Sequence, residues 1–193
     1  MGHKYGVGDI RPPSPDQAKG IRVLGLSGSS RQAPGISKSE RLLVRAMDRY
    51  RKFGRDTTLL RLQDLKIYEC EGNYSENPEY CTYPCQSSLK YDDDEMQKVY
   101  DAVLATDILV LATPIRWHNH SALVQKFIER MNAIENQSSW FGNRMIRNKV
   151  AGLIIIGHAK PGDWDDCRTQ YAGRPDPPPL VSRISVCSHL EWV

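Results

Sequence analysis

Ile21-Arg22-Val23-Leu24-Gly25-Leu26-Ser27-Gly28-Ser29-Ser30-Arg31 is the stretch whose reading decides the fold. An apolar, strand-like run ends in a turn of Gly and Ser. Beyond Pro34 and Gly35, Ser37-Lys38-Ser39-Glu40 leads into a helical pattern. Strand, small-residue loop and helix start together make a place for an anion. Backbone N–H groups and the positive end of the helix dipole converge there, and serine hydroxyls add donors. The reading is a bound phosphate.

Working outward, Leu42, Leu43, Ala46, Met47 and Tyr50 fall on one helical face of the segment Ser39 to Phe53, and Gly54 ends it. Asp56 to Leu62 reads as a second strand. Gln63 to Tyr91 shows no clear period, and a loop of that length inside a compact domain is usually functional or inserted. Asp92-Asp93-Asp94-Glu95 reads as an acidic helix start, followed at helical spacing by Met96, Val99, Tyr100, Val103 and Leu104. Asp107 to Thr113 is a third strand, apolar throughout as a central parallel strand should be. It runs into Pro114-Ile115-Arg116-Trp117-His118-Asn119-His120-Ser121 and then a helix carrying Leu123, Phe127, Ile128, Met131 and Ile134. Lys149 to Gly157 is a fourth strand. Asp163 to Cys167 reads as a short helical turn, and Ile184 to Cys187 as a fifth, edge strand after a Pro-rich stretch.

Strands alternating with helices imply βαβ units, a parallel sheet and right-handed crossovers. Ligands of such sheets bind at the carboxyl ends of the strands. The loops after Leu26, Thr113 and Gly157 all lie on that edge.

The chain has 193 residues, 40% hydrophobic and 25% charged, which suits one domain with a real core over residues 21–193. Residues 1–20 read as a disordered tail. A net charge of +3 with scattered Lys and Arg gives no warrant for nucleic-acid binding. No apolar run approaches the roughly 20 residues of a membrane helix. Five cysteines without a secretion signal point to reduced thiols and a cytoplasmic protein.

The first loop discriminates among phosphate sites. A P-loop needs Gly-Lys-Ser/Thr opening the helix, and that lysine is absent. A dinucleotide fingerprint needs three glycines, and only Gly25 and Gly28 are in place. A hydroxyl-rich loop without lysine fits a single phosphate monoester, as on FMN.

Gly25-Leu26-Ser27-Gly28-Ser29-Ser30-Arg31, the block from Asp107 to Ser121 and the helix ending Ile128-Glu129-Arg130-Met131-Asn132 resemble the flavodoxin-like NADPH-dependent FMN reductases, over residues 21–157. The resemblance implies a doubly wound α/β fold with a five-stranded parallel sheet of order 2-1-3-4-5. Against that pattern the C-terminal segment reads as atypical or truncated. It also implies bound FMN, with NADPH or NADH as electron donor. Ser27, Ser29, Ser30, Arg31, Ser37 and Ser39 would surround the phosphate, and Thr113, Pro114, Ile115, Arg116 and Trp117 would lie along the isoalloxazine. Gly157 would open a third ring-contacting loop, where this chain has Gly157-His158-Ala159-Lys160 in place of a Gly-Gly turn.

Other constellations carry less. Cys70, Cys81 and Cys85 fall short of the four thiolates of a [4Fe–4S] cluster, and read as free or packed thiols. His118 and His120 lack a partner for a metal and read as loop residues near the flavin edge. Arg116 is read as facing the flavin's developing negative charge, as meeting a nicotinamide cofactor's phosphate, or as a surface arginine. Trp140 and Phe141 fit a dimer interface or a loop anchor. The implied activity is reduction of bound FMN by NAD(P)H, with electrons passing to a quinone, free flavin or similar small acceptor in a homodimer or homotetramer. A flavodoxin-type electron carrier and a flavin-binding protein without activity stand as alternatives.

Overall fold

Three apolar runs and one more polar strand, Asp56–Arg61, pair side by side. β1 (Arg22–Ser27), β2 (Asp56–Arg61), β3 (Ile108–Pro114) and β4 (Val150–Ile156) form one parallel sheet of order β2-β1-β3-β4. The computed structural model describes residues 20–117 and 119–157. The four strands follow the expected order as far as it goes. The tail before Gly20, the helical turn at Asp163 to Cys167 and the fifth strand at Ile184 to Cys187 lie outside the described residues.

Strand side chains alternate between faces, so each strand feeds two cores. Leu24, Leu26 and Leu111 pack on one face with Met96, Val99, Tyr100, Phe127, Met131 and Ile134. Those partners come from α4 (Met96–Ala105) and α5 (Ala122–Ser139). Val23, Val110, Ala112 and Ile154 pack on the other face with Leu43 and Met47 of α1 (Lys38–Lys52). The result is a three-layer α/β/α sandwich. Gly25 lets α1 sit close on β1, because a Cβ there would lie 2.9 Å from Met47 Sδ.

The aperiodic segment after β2 holds two short helices, α2 (Asn73–Glu76) and α3 (Gln86–Lys90), and two 3₁₀ turns. Side chains from α5 hold it down. Asn136 Nδ2 donates to the carbonyls of Pro78 and Cys81 at 2.7 and 2.8 Å. Arg130 Nη1 donates to Tyr68 O at 2.8 Å, and Nη2 to Ser88 Oγ and Asp94 Oδ2, both at 2.7 Å. Both Arg130 and Asp94 side chains are fully buried.

The acidic run before α4 differs from its reading as a dipole-matched first turn. The helix begins at Met96, and the carboxylates take tertiary partners instead: Asp93 pairs with Lys66, Asp94 with Arg130, and Glu95 accepts from the Lys66 amide at 2.8 Å. For Asp94 the reason is the buried Arg130 cation, which draws a carboxylate more strongly than a helix terminus does.

Candidate functional site

In-register pairing of Ser27 with Ala112 and of Pro114 with Ile156 brings the carboxyl ends of β1, β3 and β4 to one edge. The first loop turns there. The Gly28 amide donates to Ala112 O at 2.8 Å, and Gly28 O accepts from the Ser121 hydroxyl at 2.6 Å. A Cβ on Gly28 would stand 2.2 Å from Val124 Cγ2, so only glycine fits between the loop and α5. Ser121 also caps α5, accepting from the Val124 amide at 3.4 Å, while its own amide donates to Thr113 Oγ1 at 3.0 Å. One serine thus ties the first loop, the end of β3 and the start of α5 together.

The hydroxyls read as phosphate contacts have distinct situations. Ser29 is buried, and its Oγ accepts from the Arg31 amide at 3.3 Å, leaving its proton to donate. Ser37 is the N-cap residue of α1, yet its side chain does not cap. Its Oγ pairs instead with Ser39 Oγ at 2.8 Å, both side chains buried. One hydroxyl proton of that pair stays free, as do the first N–H groups of the helix. Ser30 and Arg31 are exposed, and Ser30 Oγ accepts from Arg116 Nη2 at 3.4 Å. Ser27 is different: its buried hydroxyl donates to Glu40 Oε2 at 3.0 Å, so its proton is already committed.

Glu40 was not singled out by the sequence reading. Its carboxylate lies behind the loop and accepts from the Gly35 amide at 2.9 Å and from Arg61 Nε at 3.1 Å. Burial pushes its carboxyl up, but the bonds from Gly35, Arg61 and Ser27 and the Arg61 charge outweigh that and hold it below the ordinary value. Arg61 continues outward, with Nη2 donating to Arg31 O at 2.7 Å and to Gln32 O at 3.1 Å, and Nη1 to both oxygens of Asp64 at 2.8 Å. The Ser37-x-x-Glu40 spacing is that of a capping box, a signal that could have flagged this carboxylate.

On the second loop, Thr113 is buried, and its hydroxyl donates to Pro114 O at 3.0 Å. Ile115 is 40% exposed, and its amide donates to Ile156 O at 2.8 Å. Reciprocal bonds of 2.7 and 2.9 Å between Arg116 and Asn119 close a tight turn, with Trp117 at its tip at φ 48° and 95% exposed. The third loop starts against the second, since a Cβ on Gly157 would lie 2.7 Å from Ile115 Cδ1. His118 and the residues after Gly157 lie outside the described residues. His120 Nε2 and Gln125 Oε1 are 2.6 Å apart.

The three loop cysteines within the described residues are free thiols. Burial and the neighbouring Cys70 and Cys85 push the Cys81 thiol up to about 11. Burial also raises Cys85, but the Arg130 charge and bonds from Tyr100 and Ser87 draw it below its ordinary value. Among the described residues, no group of three or more His, Cys, Asp and Glu side chains is placed to hold a metal. No described helix is long and apolar enough to cross a membrane.

The donor set fits FMN. Around Ser29, Ser37 and Ser39 it offers uncommitted hydroxyls, an uncapped helix start and a carboxylate neutralised from behind, which suits a dianionic phosphate monoester. Ile115 and Trp117 stand exposed on the adjoining loop, as a ring platform requires.

A family model described as NADPH-dependent FMN reductase matches residues 21–168. The chain is 25% identical over 138 residues to the 8-demethyl-8-aminoriboflavin-5'-phosphate synthase of Streptomyces davaonensis, covering 72% of this chain and 51% of that protein. It is 24% identical over 145 residues to an iron-sulfur flavoprotein of Archaeoglobus fulgidus, covering 74% and 62%. The chain therefore spans between 51% and 62% of the length of these relatives. Among solved structures, RosB with a bound 8-demethyl-8-formylriboflavin-5'-phosphate intermediate superposes with a TM-score of 0.60 at 22% identity, over 78% of this chain and 57% of that one. The FMN-dependent NADH-azoreductase of Bacillus anthracis, in complex with FMN, gives 0.56 at 10% identity, over 77% and 74%. Both likenesses are of fold, a flavodoxin-like parallel sheet flanked by helices. By the family match over most of its length, this chain is a member of the NADPH-dependent FMN reductase family.

Proposed function

We propose that this chain is an oxidoreductase that binds FMN at the loops after β1, β3 and β4, takes reducing equivalents from NADPH or NADH, and passes them to a small acceptor such as a quinone or free flavin. The observation that carries the reading is the convergence of a hydroxyl-rich, uncapped helix start with an exposed Ile115–Trp117 turn on one sheet edge. When bound, the flavin supplies the hydride chemistry, and no acid–base dyad is required of the protein. Ser29, the Ser37–Ser39 pair and the first turn of α1 would hold the phosphate. Ile115 and Trp117 would cover the ring and exclude water from it. Arg116, reaching Ser30 across the two loops, would place a positive charge beside the ring's polar edge. Trp140 and Phe141, at 53% and 46% exposed, offer an apolar surface for the homo-oligomer we propose.

The test is to equilibrate the purified protein with FMN, remove the unbound flavin and add NADPH or NADH under air. Retained flavin with steady oxidation of the nicotinamide supports an FMN reductase. Retained flavin without oxidation favours a flavodoxin-type carrier, which the net charge of +3 argues against, since such carriers are usually acidic. No retained flavin contradicts both.

A further inference from the structure

Behind the first loop lies a buried ion pair, neither member of which is among the residues expected to touch the ligand. Arg61, at the end of β2, and Glu40, in the first turn of α1, are 11% and 3% exposed and 3.1 Å apart. Each also holds the loop. Glu40 takes the Ser27 hydroxyl at its start and the Gly35 amide at its end, and Arg61 takes the carbonyls of Arg31 and Gln32 in its middle.

The direction of those carbonyls matters. In a trans peptide the C=O and the following N–H point opposite ways. With the Arg31 and Gln32 carbonyls turned to Arg61, the amides of Gln32 and Ala33 are aimed away from it, and two acceptors that would repel an anion are withdrawn to the back of the loop. The guanidinium also pairs with Glu40, the carboxylate buried beneath the loop among the described residues. An unpaired Glu40 would set a negative charge behind a site meant for another.

We propose that Arg61 is a positioning residue for the flavin phosphate, fixing the loop so that it presents donors and keeping the buried Glu40 carboxylate paired. The inference rests on the phosphate reading of this loop. It goes beyond that reading by assigning the affinity for the phosphate to a strand residue that does not touch it. Asp64, bidentate on Nη1, orients the guanidinium. A lysine in place of Arg61 would keep the charge but could not span Glu40 and both carbonyls at once.

Because only the phosphate sits on this loop, the readout is the ratio of the riboflavin to the FMN dissociation constant, measured by flavin-fluorescence titration of the flavin-free protein. Loss of charged hydrogen bonds of this kind is expected to lower FMN affinity about tenfold or more in Arg61→Gln, with riboflavin affinity changed about twofold at most. Arg61→Lys should lie between Arg61→Gln and wild type. Adding Glu40→Gln to Arg61→Gln should restore part of the FMN preference, a rescue that a merely structural role does not produce. An unchanged ratio in Arg61→Gln, with wild type preferring FMN, overturns the inference and leaves the phosphate reading standing. Equal loss of both flavins also overturns it. A wild type without preference for FMN overturns both. If Arg61→Gln does not fold, the ratio in Arg61→Lys decides, and an unchanged value counts against the role.

Discussion

The Ser121 hydroxyl donates to the Gly28 carbonyl at 2.6 Å, joining residues 93 apart in the chain. Gly28 has no room for a side chain, since a Cβ would meet Val124 Cγ2 at 2.2 Å. Gly28→Ala is therefore expected to destabilise the fold by about 1–3 kcal/mol through overpacking against a buried helix start. Val124→Ala in the same chain should recover part of that loss. Urea denaturation of the three proteins checks it; an unaltered midpoint in Gly28→Ala would show that the loop and α5 are not locked together.

The same contacts explain what could be read from the sequence. β1, β3 and β4 are apolar runs, and α1, α4 and α5 carry their buried residues at helical spacing, so local pattern suffices for both. The segment after β2 has no pattern to read. The segment is held by Asn136 and Arg130 of α5, whose bonds reach 42 to 62 residues back along the chain, and nothing local announces such partners. Arg130 left one trace: a charged residue on the buried stripe of Phe127, Met131 and Ile134. At the site, hydroxyl residue types and loop positions were legible. That the Ser27 proton goes to Glu40 was not, because the Glu40–Arg61 pair forms only when β2 lies beside β1.

Ser29 is buried on the loop proposed for the phosphate and has a hydroxyl proton to spare. Ser29→Ala should weaken FMN by about ten- to 150-fold, the range for a hydrogen bond to a charged group, and leave riboflavin binding nearly unchanged. Fluorescence titration with each flavin distinguishes this from general loosening of the site.

Arg130 and Asp94 form a fully buried pair. Removing one partner strands a charge, so Arg130→Met should cost about 3–5 kcal/mol, and Arg130→Met with Asp94→Asn considerably less. Denaturant titration measures both. A double variant no more stable than Arg130→Met would mean that the pair's hydrogen bonds to Tyr68 and Ser88, rather than its charge, hold the segment.

Glu40 and Asp94 are both held below their ordinary carboxyl values of 4.5 and 3.8. Burial raises each, and their hydrogen bonds and arginine partners outweigh it. The folded chain thus binds fewer protons at these sites than the unfolded chain, and their contribution is complete above the unfolded values. Stability should stay level near neutrality and fall as the pH drops below 4.5 and then 3.8 toward the depressed folded values. Thermal unfolding across that range checks it, and Glu40→Gln should flatten the upper part of the decline.

The central claim, that the loop after β1 holds the phosphate of FMN, is tested most directly by titrating the wild-type, flavin-free protein with FMN and with riboflavin at one ionic strength. The two flavins share the ring and differ in the phosphate, so charge-assisted hydrogen bonds to it should make FMN tighter by about tenfold or more. Equal affinity for the two would contradict the account.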